Sequence, residues 1–271
     1  MPMLESIVER IKTLPPLPKS FHEIHAICSD ENGTIEKLAK VIEKDPMLVA
    51  NLLKVANSPL YSFRKEIKSV LQAVSLFGMS TTRSLTTDIS VKKLLSVDIE
   101  PYGVSPEDFA RVSSIQSALM REWYAKVDRT KLDTLFLASL LQESGKILIA
   151  DEIVKNDETS QFKFEISSSI NIAQVEKSYV GTTTGEITSK IFEHWGFDEL
   201  MVQAIKFSDN YTLADEHIKP YAFALQVVKT AAPLNSPLSE RSVTIALNLL
   251  EKEEMNQSHF AVAVEKIIET F

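Results

Sequence analysis

Residues that cross-link or punctuate a chain are scarce in this sequence: among 271 residues there is one cysteine, Cys28, and there are 7 glycines. A single thiol excludes an intrachain disulfide and a cysteine-built zinc cage, and it suits a reducing compartment. Few glycines leave long stretches free to run as helix. Long apolar runs are also missing. The stretch Ile147-Leu148-Ile149-Ala150 stops far short of the roughly 20 residues that cross a bilayer, so no membrane insertion is expected. The start, Met1-Pro2-Met3-Leu4-Glu5, lacks the basic residues and apolar core of a secretory signal, and a cytoplasmic location is the resulting expectation. Positive charge is in deficit, with 29 Lys and Arg against 37 Asp and Glu and a formal net charge of -8. Nucleic-acid binders gather Lys and Arg on one surface, so DNA or RNA is disfavoured as the main partner.

What is present is a globular composition, 44% hydrophobic and 24% charged, with apolar residues spaced mostly three and four apart. That period predicts an all-α fold. Leu17, Phe21, Ile24 and Cys28 share one stripe of a first helix that ends before Gly33. Thr34 caps a second helix running to about Lys44. Asp45 and Pro46 start a third that ends near Asn57, since Asp bonds free N–H groups and Pro fits the first helical position. Ser69 opens another as far as Gly78, and Ser80 starts one running to Leu95. Pro101, Gly103 and Pro106 mark a loop over 98–106 between two lobes. Further helices are expected over 107–126, 132–141, 147–155, 165–180, 186–194, 199–207, 221–231, 239–252 and 258–271.

Three stretches carry a resemblance to a known family. They are Leu14-Pro15-Pro16-Leu17-Pro18, then Asp45-Pro46-Met47 through Leu52-Leu53-Lys54-Val55-Ala56-Asn57-Ser58 to Tyr61, then Ala73 through Phe77 to Gly78. In order and spacing they resemble the HDOD family, relatives of the HD and HD-GYP phosphohydrolases. The similarity implies a multi-helix HD-like bundle with an N-terminal helical lobe. It suggests an N-terminal helix over 1–13 and an HDOD-like domain over 14–210, divided into a helical lobe at 14–97 and a degenerate HD-like lobe at 107–210. Residues 211–271 would form a C-terminal helical extension on the same globule. The motif residues Pro15, Leu17, Pro18, Asp45, Pro46, Leu52, Leu53, Ala56, Asn57, Ser58, Tyr61 and Gly78, and Trp195 further on, have structural readings as caps, core and turns.

The second half resembles the HD hydrolase core with its reactive residues replaced. Where those enzymes carry His-Asp followed by a small residue, Gly and Lys, this chain has Gln142-Glu143-Ser144-Gly145-Lys146. A Gln amide oxygen is uncharged and cannot replace an imidazole in a transition-metal site. By the same resemblance the upstream His falls at Ser113, a later His at Thr184, a His pair at Ser208-Asp209, and the final Asp near Val227 or Val228. Of these positions, only Glu143 and Asp209 could ligate, and two ligands do not hold the two ions such hydrolysis needs. No metal, no cofactor and no catalytic residue is therefore expected.

Other candidates have simpler readings. His22, His25 and Cys28 suggest core packing with a surface His. Gly145-Lys146 reads as a turn, because a phosphate loop would need an upstream glycine and a preceding strand. The run 181–185, with its threonines and glycines, reads as a helix cap ahead of an anion site. Arg64, Lys65 and Lys68 form a modest basic group diluted by Glu66. The resemblance implies a non-catalytic bacterial signal-transduction protein, an interaction module whose partner is another signalling protein of unknown identity, in an oligomeric state left open. The alternatives are a residual metal- or nucleotide-binding phosphohydrolase or nucleotide sensor, with Glu143, Asp209 and Lys146 at its site, and a DNA-associated regulator.

Overall fold

The computed structural model describes residues 2–61, 63, 65–96, 98–169 and 171–270. Among them the regular structure is helical throughout, without a strand. The helices are α1 (Pro2–Lys12), α2 (Lys19–Ser29), α3 (Ile35–Ile42), α4 (Pro46–Ala56), α5 (Val70–Leu95), α6 (Pro106–Val127), α7 (Leu132–Leu141) and α8 (Gly145–Lys155). They continue as α9 (Thr159–Ser168), α10 (Ile172–Val180), α11 (Thr184–His194), α12 (Glu199–Lys206), α13 (Lys219–Ala231), α14 (Glu240–Lys252) and α15 (Gln257–Thr270). No helix is long and apolar enough, among the described residues, to cross a membrane.

The chain forms two compact units, one of Pro15–Leu94 with Glu269–Phe271, the other of Met1–Leu14 with Leu95–Ile268. In the smaller unit, capping chemistry sets the helix starts. The Thr34 hydroxyl accepts from the Lys37 N–H at the head of α3, and Asp45 accepts from the Met47 and Leu48 N–H groups at the head of α4, whose first residue is Pro46. Leu52 and Ala56 are core, while Leu53 is only half-buried. Asn57 does more than close its own helix. Its amide donates to the Leu53 and Ile67 carbonyls, both at 2.9 Å, and accepts from the Ile67 N–H at 2.8 Å, so one side chain fastens both ends of the loop between them. Tyr61 packs edge-on to Phe77, with ring centroids 4.7 Å apart. Gly78 interrupts α5 with φ +76° and ψ 170°, a conformation essentially confined to glycine. Of the basic group, Lys65 and Lys68 lie on this unit and Arg64 lies outside the described residues.

His25 and Cys28 do not meet as metal ligands. The Thr87 hydroxyl donates to the Arg83 carbonyl at 2.8 Å, which leaves His25 Nε2–H to donate to Thr87 Oγ1 at 3.1 Å. The His25 ring lies 4.0 Å from that of Phe21. Burial, then the positive charges of Arg83 and His22, lower its pKa to about 4. Cys28 is half-buried rather than core, its thiol directed at the Met79 carbonyl, and burial raises its pKa.

In the larger unit α6 packs along α7, α8 against α11, α11 against α12, and α13 against α6, α7, α12 and α14. The N-terminal helix α1 belongs here, resting on α8 and α11 with Ile7 and Ile11 buried. Ser6 donates to Glu152 at 2.8 Å, and Arg10 pairs with Asp151. Two expectations are corrected. The helix expected over 165–180 is two helices, α9 and α10, because the Asn171 side chain accepts the Gln174 N–H and starts a new one. Gly145-Lys146 is not a turn but the first residues of α8.

Candidate functional site

The larger unit holds a buried cluster of charge, built around Lys146. Its ammonium lies 2.8 Å from Glu176 Oε1, 3.0 Å from Thr184 Oγ1 and 3.1 Å from Glu143 Oε2. Thr184 passes the contact on, donating from its hydroxyl to Glu176 Oε1 at 2.6 Å and from its N–H to Glu176 Oε2 at 2.7 Å. Tyr102 donates to Glu176 Oε1 at 2.9 Å. On the other side Lys229 reaches Asp209 Oδ1 at 2.6 Å, and Asp209 Oδ2 accepts the Gly185 N–H at 2.9 Å. Glu143 Oε2 is 4.0 Å from the Lys229 ammonium, so the two lysines share it.

An amide chain lines the remaining side. Gln142 Nε2 donates to Gln116 Oε1 at 2.8 Å, and Gln116 Nε2 donates to Glu143 Oε1 at 3.0 Å and to the Ala232 carbonyl at 2.9 Å. Local chemistry at two helix starts makes the arrangement possible. Thr183 caps α11 in a reciprocal box with Glu186, which leaves the next residue, Thr184, to face inward. Gly145 lets α8 approach α11 closely: a Cβ there would sit 2.5 Å from the Thr184 carbonyl oxygen. Its N–H donates instead to Thr188 Oγ1 at 2.9 Å.

Burial alone would raise the pKa of Glu143, but Lys146, Lys229 and the Gln116 amide outweigh it and hold the carboxyl below its ordinary range. Asp209 is held low in the same way, against burial, by Lys229, Lys146 and the Gly185 N–H. Lys146 and Lys229 show the converse, since burial would neutralise them and the carboxylates keep both pKa values raised. Burial, then Glu176, pushes Tyr102 well above its usual value, so it stays a neutral donor. At neutral pH Glu143 and Asp209 are therefore carboxylates, and Lys146 and Lys229 are ammonium groups.

This donor set does not fit a pair of divalent ions. The carboxylates already face ammonium, hydroxyl and N–H groups, and Gln142 turns its amide N–H toward Gln116, leaving one neutral, unpartnered Oε1 that does not replace an imidazole. Among the described residues no three His, Cys, Asp or Glu side chains converge as a metal site.

Of the positions singled out in the sequence, Gln142, Glu143, Thr184 and Asp209 come together here. Ser208 borders the same space, fully buried and with no hydrogen-bond partner among the described residues. Ser113 does not join them. Its hydroxyl bonds back to the Phe109 carbonyl at 3.3 Å, and Gln116, one turn on, is the α6 side chain that enters. Val227 and Val228 are core, and their neighbour Lys229 supplies the polar group from α13. Trp195 closes α11 at its C-terminus, its ring 6.3 Å from Phe192. Sequence reasoning missed Tyr102, Gln116 and Lys229, and gave Glu176 no role. A lysine next to Val227 and Val228 was the one signal available, because a charge on an apolar turn needs a buried partner.

The family model of the HDOD domain matches residues 14–211, well over half of the chain. The chain belongs to the HDOD family. A Treponema pallidum (strain Nichols) protein, itself uncharacterized, is 23% identical over 220 residues, 79% of this chain and 41% of its own length. The chain thus spans well under half of that curated relative. A solved structure of a candidate signal-transduction protein from Marinobacter aquaeolei VT8 is 20% identical, covering 99% of this chain and 62% of its own, with a TM-score of 0.73. A candidate phosphohydrolase from Shewanella amazonensis SB2B is 23% identical, covers 97% of this chain and 93% of its own, and has a TM-score of 0.71. These likenesses show that the chain shares its helical fold with those two proteins.

Proposed function

We propose that this HDOD protein is a non-catalytic regulatory module of bacterial signal transduction. On this reading it acts in the cytoplasm by binding another signalling protein. One observation supports it above the rest: Lys146 and Lys229 supply the positive charge beside Glu143, Glu176 and Asp209. Hydrolysis at an HD-type centre needs metal ions that activate water and neutralise phosphate. Here ammonium groups neutralise the acids, and an ammonium, unlike a metal ion, coordinates no water whose pKa it could lower. The candidate signal-transduction protein of like fold agrees with a regulatory role.

The reading is tested by metal analysis of the purified protein together with phosphodiesterase assays in added magnesium, manganese, iron or zinc. Substoichiometric metal and no turnover above buffer are expected. Stoichiometric metal with turnover abolished by Glu143→Ala would instead establish the phosphohydrolase alternative. The DNA-associated alternative requires duplex binding that falls steeply with salt, against the net charge of -8.

A further inference from the structure

A cavity of about 340 Å³ opens on the Lys229 side of the charge cluster, within the larger unit. Glu143, Lys146, Ser208, Asp209 and Lys229 form its polar floor. Leu234, Ile245 and Leu249 give it an apolar wall, the last two from α14. Clefts of this mixed character, with a few convergent polar groups, are the usual form of small-molecule sites.

The hydrogen-bond inventory of the floor is uneven. Lys146 donates to Glu176 Oε1 and Thr184 Oγ1 and faces Glu143 Oε2 at 3.1 Å as an ion pair. Lys229 has one acceptor within hydrogen-bonding distance, Asp209 Oδ1, and its side chain remains 14% exposed. Two of its three donors are thus unused. The Ser208 hydroxyl is fully buried without a partner among the described residues, an arrangement that is costly for a buried polar group. Arg241, in the first turn of α14, is exposed at the same cavity, and among the described residues it makes no ion pair or side-chain hydrogen bond. Three unmatched groups at the cavity are therefore donors, two of them cationic, and the one unmatched acceptor, Glu143 Oε2, is offset by the Lys146 ammonium at 3.1 Å. Asp209 and Glu143 do not reverse this, because each already faces an ammonium group and an N–H donor.

We propose that this cavity binds a small organic oxyanion, its phosphate or carboxylate head on Lys229, Ser208 and Arg241 and its apolar body against Ile245 and Leu249. The ligand is held without being cleaved and serves as the input of the regulatory module. This inference rests on the non-catalytic reading above. Arg241 sits on α14, so occupancy ties that helix to α13 and to the Ser208 end of α12.

The test is calorimetric titration of the full chain in EDTA at low salt, with phenyl phosphate in one arm and benzoate in the other. Saturable one-to-one binding in at least one arm is expected, and the arm that binds identifies the head group. Arg241→Ala removes an exposed side chain and Ser208→Ala an unpartnered hydroxyl, so both variants should fold, which far-UV circular dichroism and thermal melting check. Each should weaken binding, Arg241→Ala by about tenfold, or about 1.4 kcal/mol. No heat in either arm, or unchanged affinity in both variants, overturns the inference and leaves the non-catalytic reading intact. Hydrolysis of phenyl phosphate after adding metal would overturn that reading instead.

Discussion

Lys146 is the side chain on which three others depend. Removing one member of a buried ion cluster strands its partners, at a cost of about 3–5 kcal/mol, even where the intact cluster adds little net stability. Lys146→Met should therefore destabilise the fold by about that amount in urea denaturation, and Lys146→Met with Glu143→Gln should cost less than the two single changes added together. The sign of the pH dependence comes from the same groups. Folded Glu143 and Asp209 titrate below their unfolded values, so their contribution is present above about pH 4 and is lost as pH falls through the lowered values. Folded Lys229 titrates above its unfolded value, so its contribution holds below about pH 10 and is lost as pH rises through the raised one. Their part of the urea midpoint should thus be flat between these limits and fall outside them. His25 runs differently. With its folded pKa at about 4, the unfolded chain binds the extra proton first, and stability should decline as pH falls from about 6.5 toward 4. Imidazole NMR should show this ring still neutral at pH 5, and titration near 6.5 would refute the packing described.

At the scale of elements, close approach of α8 and α11 decides whether the cluster can form. Gly145→Ala would drive a Cβ into the Thr184 carbonyl oxygen at 2.5 Å and Thr188 Oγ1 at 2.8 Å. Because one neighbour is backbone, the helices must part, at a cost of about 1–3 kcal/mol. Thermal melting of that variant should show the loss, and amide exchange should quicken at residue 145 and at Thr184. Much of the element order is legible in the sequence. Asp45-Pro46 and Thr34 are caps whose chemistry is local, and the structure has each bonding the N–H groups expected of it. The break between α9 and α10 is not legible, since 165–180 keeps a helical period across it and the cap at Asn171 competes only once the chain has turned. The site is half legible for a related reason. Gln142 and Glu143 are marked by a linear pattern, whereas Gln116 and Lys229 become partners only through packing, and a one-turn error on α6 is enough to point to Ser113.

For the whole molecule, the division of the chain is the leading fact. Residues 15–94 make the body of one compact unit, and the other is built from the segments on either side of them. The N-terminal helix is integral to the larger unit, because Ile7 and Ile11 are buried in it at 1% and 4% exposure. Fully burying an isoleucine contributes about 1.5–3 kcal/mol, so deletion of residues 1–13 should cost up to about 3–6 kcal/mol, read as a lowered denaturation midpoint. A truncated protein with an unchanged midpoint would show that α1 adds nothing.

The same interruption matters while the protein is being made. During synthesis α1 leaves the ribosome well before its partners, because α8 and α11 emerge only after the whole of 15–94 has been threaded out. The intervening unit can settle in the meantime, as domains do on a growing chain. Until α11 is translated, Ile7 and Ile11 lack the surface that buries them.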